Sequence, residues 1–118
     1  MTRLTRIYKR FDVIVIPFPF TDLSPTKKRP ALVISDSKKF NDAVNHVVCA
    51  MITDARHDSW PLDTEIQDLT LTGLSKPSMI RLKIFTLDES LILKRAGKLG
   101  LADRQSFRKN LRLLLGIK

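Results

Sequence analysis

Cysteine, histidine and long apolar runs are all scarce in this chain, and each scarcity excludes a class of protein. The single cysteine, Cys49, has no partner for a disulfide within the chain, which favours a cytoplasmic location. One cysteine and two histidines are too few for a zinc cluster. No apolar stretch approaches the roughly 20 residues that a membrane-spanning helix needs. We therefore expect a protein with no metal cluster and no membrane span.

Acidic residues are also scarce relative to basic ones. Lysine and arginine total 21 against 12 aspartates and glutamates, which gives a formal net charge of +9 and an isoelectric point near 10.1. Apolar residues make up 43% of the chain, as in globular proteins, and 118 residues are enough for one domain. A small basic domain of this kind favours a polyanionic partner, which is a nucleic acid, an acidic protein tail or an anionic membrane surface.

The first two thirds of the chain have the patterns of strands. Apolar, largely β-branched or alternating segments predict strands in five places: 13–16, 31–34, 46–52, 64–66 and 78–85. Proline and turn residues between Pro17 and Lys28 predict a loop that joins the first two strands as a hairpin. Leu69–Leu74 is predicted to form a short helical turn closed by Gly73.

The end of the chain has a helical period instead. A helix is predicted over 102–115, with Asp103 in its first turn and Gly116 as its stop. Four apolar residues fall at i, i+4, i+7 and i+8 of that helix: Phe107, Leu111, Leu114 and Leu115. Burial of each would contribute about 1.5–3 kcal/mol, so we expect all four to pack on the sheet or on another subunit. Strands followed by a helix predict a mainly-β (α+β) domain, built as a small twisted barrel.

Several segments, in this order, resemble the MazF/PemK family of toxins. They are DVIVIPFPFTDLSPTKKRPALVIS, AMIT, GLSKPSMIR and TLDESLI, followed by the amphipathic helix, and they cover about Asp12 to Leu115. The resemblance implies an SH3-like β-barrel of the MazF/PemK/CcdB type with a C-terminal helix, which normally forms a homodimer. We expect one such domain over residues 1–118, with residues 1–11 as a basic N-terminal arm.

The resemblance also implies a function. Members of this family are the toxin halves of type II toxin–antitoxin systems. They are metal-independent endoribonucleases that need no cofactor and cut single-stranded RNA, here expected to be messenger RNA, at short sequences through attack by the 2′-OH. The cognate antitoxin usually covers the RNA groove with an acidic tail.

RNA cleavage without a metal requires removal of the 2′-OH proton, stabilisation of a crowded anionic phosphorus, and protonation of the departing 5′-oxygen. Arg29 can meet the second requirement, because its planar guanidinium can donate two hydrogen bonds to the non-bridging oxygens. The following Pro30 restricts the backbone of Arg29 to extended geometry. In the family this arginine is a principal catalytic residue, and Thr53 matches the threonine that partners it.

Arg81 matches an arginine on a corresponding family strand and is the third catalytic candidate. Some members have an aspartate two residues later, where this chain has Lys83, so no carboxylate base is available at that position. Two alternatives stay open: Arg81 and Lys83 bind phosphate, or they form an exposed strand face.

Four further residues are candidates for RNA binding. Lys27 and Lys28 are expected on a mobile loop as phosphate contacts, and His57 lies in a polar loop where a proton carrier could act. Trp60 could stack on a splayed base or, as we slightly favour, cap the barrel.

Two apolar positions complete the predictions. Cys49 is expected to fill the core rather than to act as a nucleophile. Phe11 stands where the family often has glycine, so we expect the chain to approach its first strand differently here.

Other functions fit the same barrel. A non-enzymatic toxin such as CcdB poisons gyrase through a C-terminal Trp-Gly-Ile, but this chain ends Leu115-Gly116-Ile117-Lys118 and lacks the tryptophan. A plain RNA-binding barrel is a second alternative. A degenerate family member is a third, because of Lys83 and Phe11.

Overall fold

A computed structural model describes residues 7–18, 27–56 and 58–118 of the chain. They form a curled antiparallel half-barrel sheet with the strand order β4-β5-β3-β2-β1-β6, and a C-terminal helix. The strands are β1 (Asp12–Phe18), β2 (Lys27–Val33), β3 (His46–Asp54), β4 (Thr64–Glu65), β5 (Ser78–Asp88) and β6 (Lys94–Lys98). The α+β fold class predicted from the sequence is confirmed.

The helical segments are mostly short. A π-helical turn, Ser37–Asn41, runs into α1 (Asp42–Val44) between β2 and β3. Two 3₁₀ turns, Thr70–Thr72 and Glu89–Leu91, precede and follow β5. The long helix α2 (Leu101–Leu115) comes last.

The sheet buries apolar side chains on both faces, because successive residues of a strand point to opposite sides. On one side, which we call the helix face, Phe107 of α2 packs into a cluster that includes Val13, Leu32, Ala50, Ile52 and Ile80. On the other side, which we call the groove face, a second cluster includes Ile14, Ala31, Val33 and Cys49. The β-branched run at 13–16 therefore serves both clusters, as its sequence predicts.

Phe11 explains how the chain enters this core. Its φ of 75° lies in the left-handed region that glycine adopts most easily, and its ring is almost completely buried. The backbone N–H of Phe11 donates to the Val33 carbonyl at 2.7 Å, and its carbonyl accepts from the Leu99 N–H at 2.9 Å. The ring meets Phe107 edge to face, with centroids 6.4 Å apart. Ring packing therefore offsets the strain of a conformation that suits glycine.

The C-terminal helix is anchored at its start and less buried at its end than expected. The buried carboxylate of Asp103 accepts hydrogen bonds from the backbone N–H groups of Gln67 and Asp68 at 3.0–3.2 Å. Phe107 is fully buried and Leu111 packs beside it. Leu114 and Leu115 are 44% and 57% exposed, so this sheet covers two of the four stripe residues, Phe107 and Leu111, and packing of the other two on another subunit stays a prediction. Helical period alone could not show that the sheet ends before the last turn of the helix.

Two boundaries differ from the sequence prediction. The strand β2 begins at Lys27, and Lys27 and Lys28 pair with Phe18 and Pro17 of β1, so the expectation that these lysines lie on a mobile loop is wrong. The strand β6 was not predicted, because its sequence KRAGK has neither β-branched residues nor apolar alternation. It forms because it pairs with β1.

A close backbone contact fixes the segment that leads into β5. A Cβ on Gly97 would lie 2.2 Å from the Leu71 carbonyl oxygen, and a Cβ on Gly73 would lie 2.2 Å from that of Ala96. Gly73 also has a φ of 75° and ends the 3₁₀ turn, as predicted. Glycine at these two positions lets the turn lie directly on β6.

Candidate active-site groove

A groove of about 570 Å³ opens beside four neighbouring strands. It is lined by Phe18, Lys28, Arg29, Pro30, Met51, Ile52, Thr53, Asp54, Leu74, Ser75, Lys76, Ser78, Arg81 and Lys83. Residues of β1, β2, β3 and β5 and of the segment before β5 thus meet at one concave surface. Of the eight predicted site residues, five line it: Lys28, Arg29, Thr53, Arg81 and Lys83.

Sheet register brings the three catalytic candidates to the groove. Met51 of β3 pairs with Ala31 of β2 on one side and with Arg81 of β5 on the other. Arg29 lies two residues before Ala31, and Thr53 lies two residues after Met51, so both belong to the same face as their neighbours. The three candidates therefore share the groove face, on the side of the sheet opposite to α2.

Arg29 is an exposed cation on the β2 wall of the groove. Its backbone pairs with Ile16 of β1, and Pro30 follows it in the strand. Within the described part of the chain, its guanidinium forms no ion pair and no hydrogen bond. The five donors of Arg29 are therefore available to an anion that enters the groove.

Thr53 lies on the groove floor, near the end of β3. It is partly buried and pairs with Met79 of β5, which fixes its backbone in the sheet. Its hydroxyl is the kind of group that can donate to a phosphate oxygen.

Arg81, by contrast, is held in an ion pair. Its Nη2 lies 3.1 Å from Oδ2 of Asp63, and the two side chains are only 11% and 8% exposed. The same nitrogen donates to the Asp58 carbonyl, and the guanidinium carbon lies 4.8 Å from the centroid of the Trp60 ring. Asp63 also accepts from the Trp60 backbone N–H at 2.7 Å. Arg81 therefore fastens the 58–63 loop to the wall of the groove.

Trp60 is placed by this same contact. Its side chain is 45% exposed, and the Lys83 ammonium lies 5.6 Å from its ring centroid. The ring thus rests on two cations at the surface, rather than capping the core as we had favoured. Trp60 does not line the groove itself, although Arg81 and Lys83 beside it do.

Lys83 owes its position to an irregularity in β5. Ala50 of β3 pairs with Ile84 and the next residue, Met51, pairs with Arg81, so Leu82 and Lys83 have no partner on β3. Such a bulge bends the strand locally and redirects side chains.

The remaining RNA-binding candidates lie elsewhere. Lys27 is exposed on β2 but does not line the groove, and His57 lies outside the described residues. Sequence reasoning also missed groove residues: Lys76 and Ser78, before and at the start of β5, and Asp54, which follows Thr53. The sequence position of Asp54, directly after the candidate Thr53, could have marked it as a site residue, because a carboxylate can accept a proton.

Asp54 is also the one acidic residue among those that line the groove. Its Oδ2 accepts from Nη2 of Arg56 at 2.8 Å, and its Oδ1 accepts from the Arg56 backbone N–H at 2.9 Å. Their ion pair raises the pKa of the Arg56 guanidinium through the hydrogen bond and the opposite charge. The groove therefore holds five cationic side chains against one carboxylate, a balance that attracts a polyanion.

Cys49 fills the core, as predicted. It is fully buried in the groove-face cluster, and burial raises the pKa of its thiol to about 12. A thiol that stays protonated is a poor nucleophile. Across the ranges 7–18, 27–56 and 58–118, no three histidine, cysteine, aspartate or glutamate side chains are grouped to hold a metal ion.

Comparison with known proteins identifies relatives of this fold. The PemK-like, MazF-like toxin family of type II toxin–antitoxin systems matches residues 9–115. An endoribonuclease solved in complex with its cognate antitoxin, from a Mycobacterial species, superposes with a TM-score of 0.75 at 17% identity, over 94% of this chain and 97% of that one. MazF from Deinococcus radiodurans superposes with a TM-score of 0.73 at 18% identity, over 96% and 100%. No curated protein matches the sequence significantly.

Proposed function

Because the chain belongs to the PemK-like, MazF-like family of type II toxins, we propose that it is an endoribonuclease that cuts single-stranded RNA in the groove between β2 and β5. The proposal depends on one observation: a guanidinium without an ion-pair partner among the described residues lines the same groove as a threonine hydroxyl. Arg29 and Thr53 line the same cationic groove, and Arg29 has no carboxylate partner among the described residues.

The chemistry is a transesterification within the RNA. The 2′-oxygen of one ribose attacks the adjacent phosphorus as it loses its proton, and the bond from phosphorus to the 5′-oxygen breaks. The leaving 5′-oxygen takes up a proton from water, so the products are a 2′,3′-cyclic phosphate and a 5′-hydroxyl. Arg29 donates to the non-bridging oxygens as their charge grows, and Thr53 donates a further hydrogen bond to one of them.

We assign the acceptor of the 2′-OH proton to Asp54. Asp54 lines the groove directly after Thr53, and its side chain is 19% exposed, so solvent reaches it. Arg56 orients its oxygens. Asp54→Asn keeps the shape and removes the acceptor, so it should lower the cleavage rate, while RNA affinity stays unchanged or increases.

The binding partners are those that the family implies, and the cationic groove lining supports the polyanionic ones, RNA and an acidic antitoxin tail. The expected target is single-stranded RNA, in particular messenger RNA. Its phosphates contact Lys28 and Lys83 in the groove, and the exposed side chains of Lys27 and Trp60 extend that binding surface. A cognate antitoxin with an acidic tail competes for the groove, and the toxin acts as a homodimer in the cytoplasm. No helix in the described parts of the chain is long and apolar enough to cross a membrane.

The test uses the purified protein and a mixed pool of single-stranded RNA with a chelator present. We expect fragments with 5′-hydroxyl and 2′,3′-cyclic phosphate ends, and we expect Arg29→Ala to lose cleavage while it remains folded. If the RNA stays intact after long incubation with a folded dimer, the proposed endoribonuclease activity is wrong. The alternative of a non-catalytic RNA-binding barrel would then remain. Sequencing the 5′ ends of the fragments would define the cleavage motif.

A further inference from the structure

A second cationic surface lies on α2, on the side of the sheet away from the groove. A concave patch of about 370 Å³ is lined by Gln105, Arg108, Lys109, Arg112 and Leu113. Three of these five residues are cationic and none is acidic. Nothing in the proposed cleavage reaction uses this patch.

The arginines beside the patch are crowded. The guanidinium carbons of Arg10, Arg104 and Arg108 lie 4.8, 5.2 and 5.3 Å from the centroid of the single Phe11 ring. Burial lowers the pKa of Arg10, and the charges of Arg108 and Arg112 lower it further, although Asp36 partly opposes them. None of these four arginines forms an ion pair with a carboxylate in the described parts of the chain. Like charges held this close repel one another, and a bound anion would relieve that repulsion.

The exposed side of α2 combines these charges with apolar residues. One helical stripe has the spacings i, i+4, i+7, i+8, i+11 and i+12. It consists of Leu101, Gln105, Arg108, Lys109, Arg112 and Leu113. Leu101 is 76% exposed and Leu113 is 59% exposed. The stripe is about 18 Å long, at 1.5 Å per residue. It presents three cations between two leucines.

We propose that this stripe, which we call the α2 patch, docks an acidic amphipathic helix of a partner protein. Carboxylates spaced three and four residues apart on such a helix would pair with Arg108, Lys109 and Arg112, since the planar guanidinium suits carboxylates. Its apolar residues would cover Leu101 and Leu113. The proposal is independent of RNA cleavage, because the patch and the groove lie on opposite sides of the sheet.

Two other occupants fit less well. An RNA backbone would satisfy the cations but would gain nothing from the exposed leucines. A second copy of this chain would place the same patch against itself across a two-fold axis, and would bring cations against cations. Only a ligand that is both acidic and apolar complements the whole stripe.

The test measures the affinity of a labelled 18-residue helical peptide that carries glutamates and leucines at helical spacing. Arg108→Glu with Arg112→Glu should weaken its binding at least tenfold, because reversed charges repel carboxylates. The matched control is Lys38→Glu with Lys39→Glu. It makes the same change in net charge at exposed positions on the π-helical turn and should alter the affinity less than threefold. Circular dichroism checks the fold of each variant.

A third variant separates the apolar contact from simple charge attraction. Leu113→Ser leaves the net charge unchanged and should weaken the peptide about fivefold. Three outcomes would overturn the proposal: equal weakening by both charge-reversed pairs; loss of RNA affinity, but not of peptide affinity, in the Arg108/Arg112 variant; or a shift from dimer to monomer in Leu113→Ser. The Arg108/Arg112 variant should still cleave RNA at the parental rate. If the parental protein cleaves no RNA while the peptide results hold, the proposed function fails and the α2 patch stands.

Discussion

The two walls of the groove carry arginines in opposite situations. On the β2 wall, Arg29 is exposed and forms no ion pair with the described residues. On the β5 wall, Arg81 is largely buried against Asp63 and the Trp60 ring. Both side chains line the same groove and sit on the same face of the sheet. The difference comes from a loop distant in sequence, which supplies a carboxylate to one wall and not to the other.

This difference separates a reactive role from a supporting one. A guanidinium that is already paired has few donors left for a phosphate, whereas an unpaired one can direct its donors to a transition state without first breaking an ion pair. We therefore assign charge stabilisation to Arg29 and attachment of the 58–63 loop to Arg81. The sequence analysis had placed both in the catalytic group, and their separation is a proposal that the following experiments test.

The largest expected effect is on stability, at the β5 wall. Arg81→Ala leaves the Asp63 carboxylate buried without its partner, which should lower the free energy of unfolding by about 3–5 kcal/mol. Denaturant unfolding measures this loss. Arg29→Ala is the matched control and should change the unfolding free energy by no more than about 0.5 kcal/mol. Equal stability of the two variants would remove the distinction between the walls.

The second effect is on catalysis, at the β2 wall. Arg29→Ala should reduce the single-turnover cleavage rate about 100- to 1,000-fold, since it removes donors aimed at developing charge. Arg29→Lys keeps the charge but not the fork of donors, and should recover only part of that loss. A cleavage rate within threefold of the parental protein for Arg29→Ala would move the catalytic cation elsewhere.

The main elements of the fold could be predicted from the sequence. The β-branched runs, the alternation in β5 and the period of α2 predicted the main elements, because burial imposes those patterns locally. The Arg-Pro dipeptide and the family resemblance made Arg29 a catalytic candidate, and that role stays a prediction. The groove geometry is consistent with that choice, since Lys28, Arg29 and Thr53 meet there.

Other features depend on contacts between distant segments. The Asp63–Arg81 pair joins residues 18 positions apart, and neither residue indicates the other by pattern. The strand β6 exists because β1 offers it an edge, and its own composition gives no sign of it. The conformation of Phe11 is set by its packing between Val33, Leu99 and Phe107, which no local rule contains.

A smaller effect is expected on the groove floor between the two walls. Thr53→Val replaces the hydroxyl with a methyl group of similar size, and the loss of one hydrogen bond to a charged oxygen should slow cleavage about tenfold. Thr53→Ser retains the hydroxyl and should stay within threefold. Single-turnover rates at saturating RNA measure the difference. If Thr53→Val and Thr53→Ser slow the reaction equally, the methyl packing of Thr53 matters rather than its hydroxyl.

The smallest effect compares the two walls as binding surfaces. Each phosphate contact on single-stranded RNA contributes roughly 0.7 to the slope of log affinity against log salt. Lys28→Ala, on the β2 wall, should reduce the slope by about that amount. Lys83→Ala should reduce it less, because its ammonium already lies over the Trp60 ring. Equal reductions would mean that Lys83 leaves the ring to bind RNA, and the β5 wall would then be a phosphate-binding surface despite its fixed arginine.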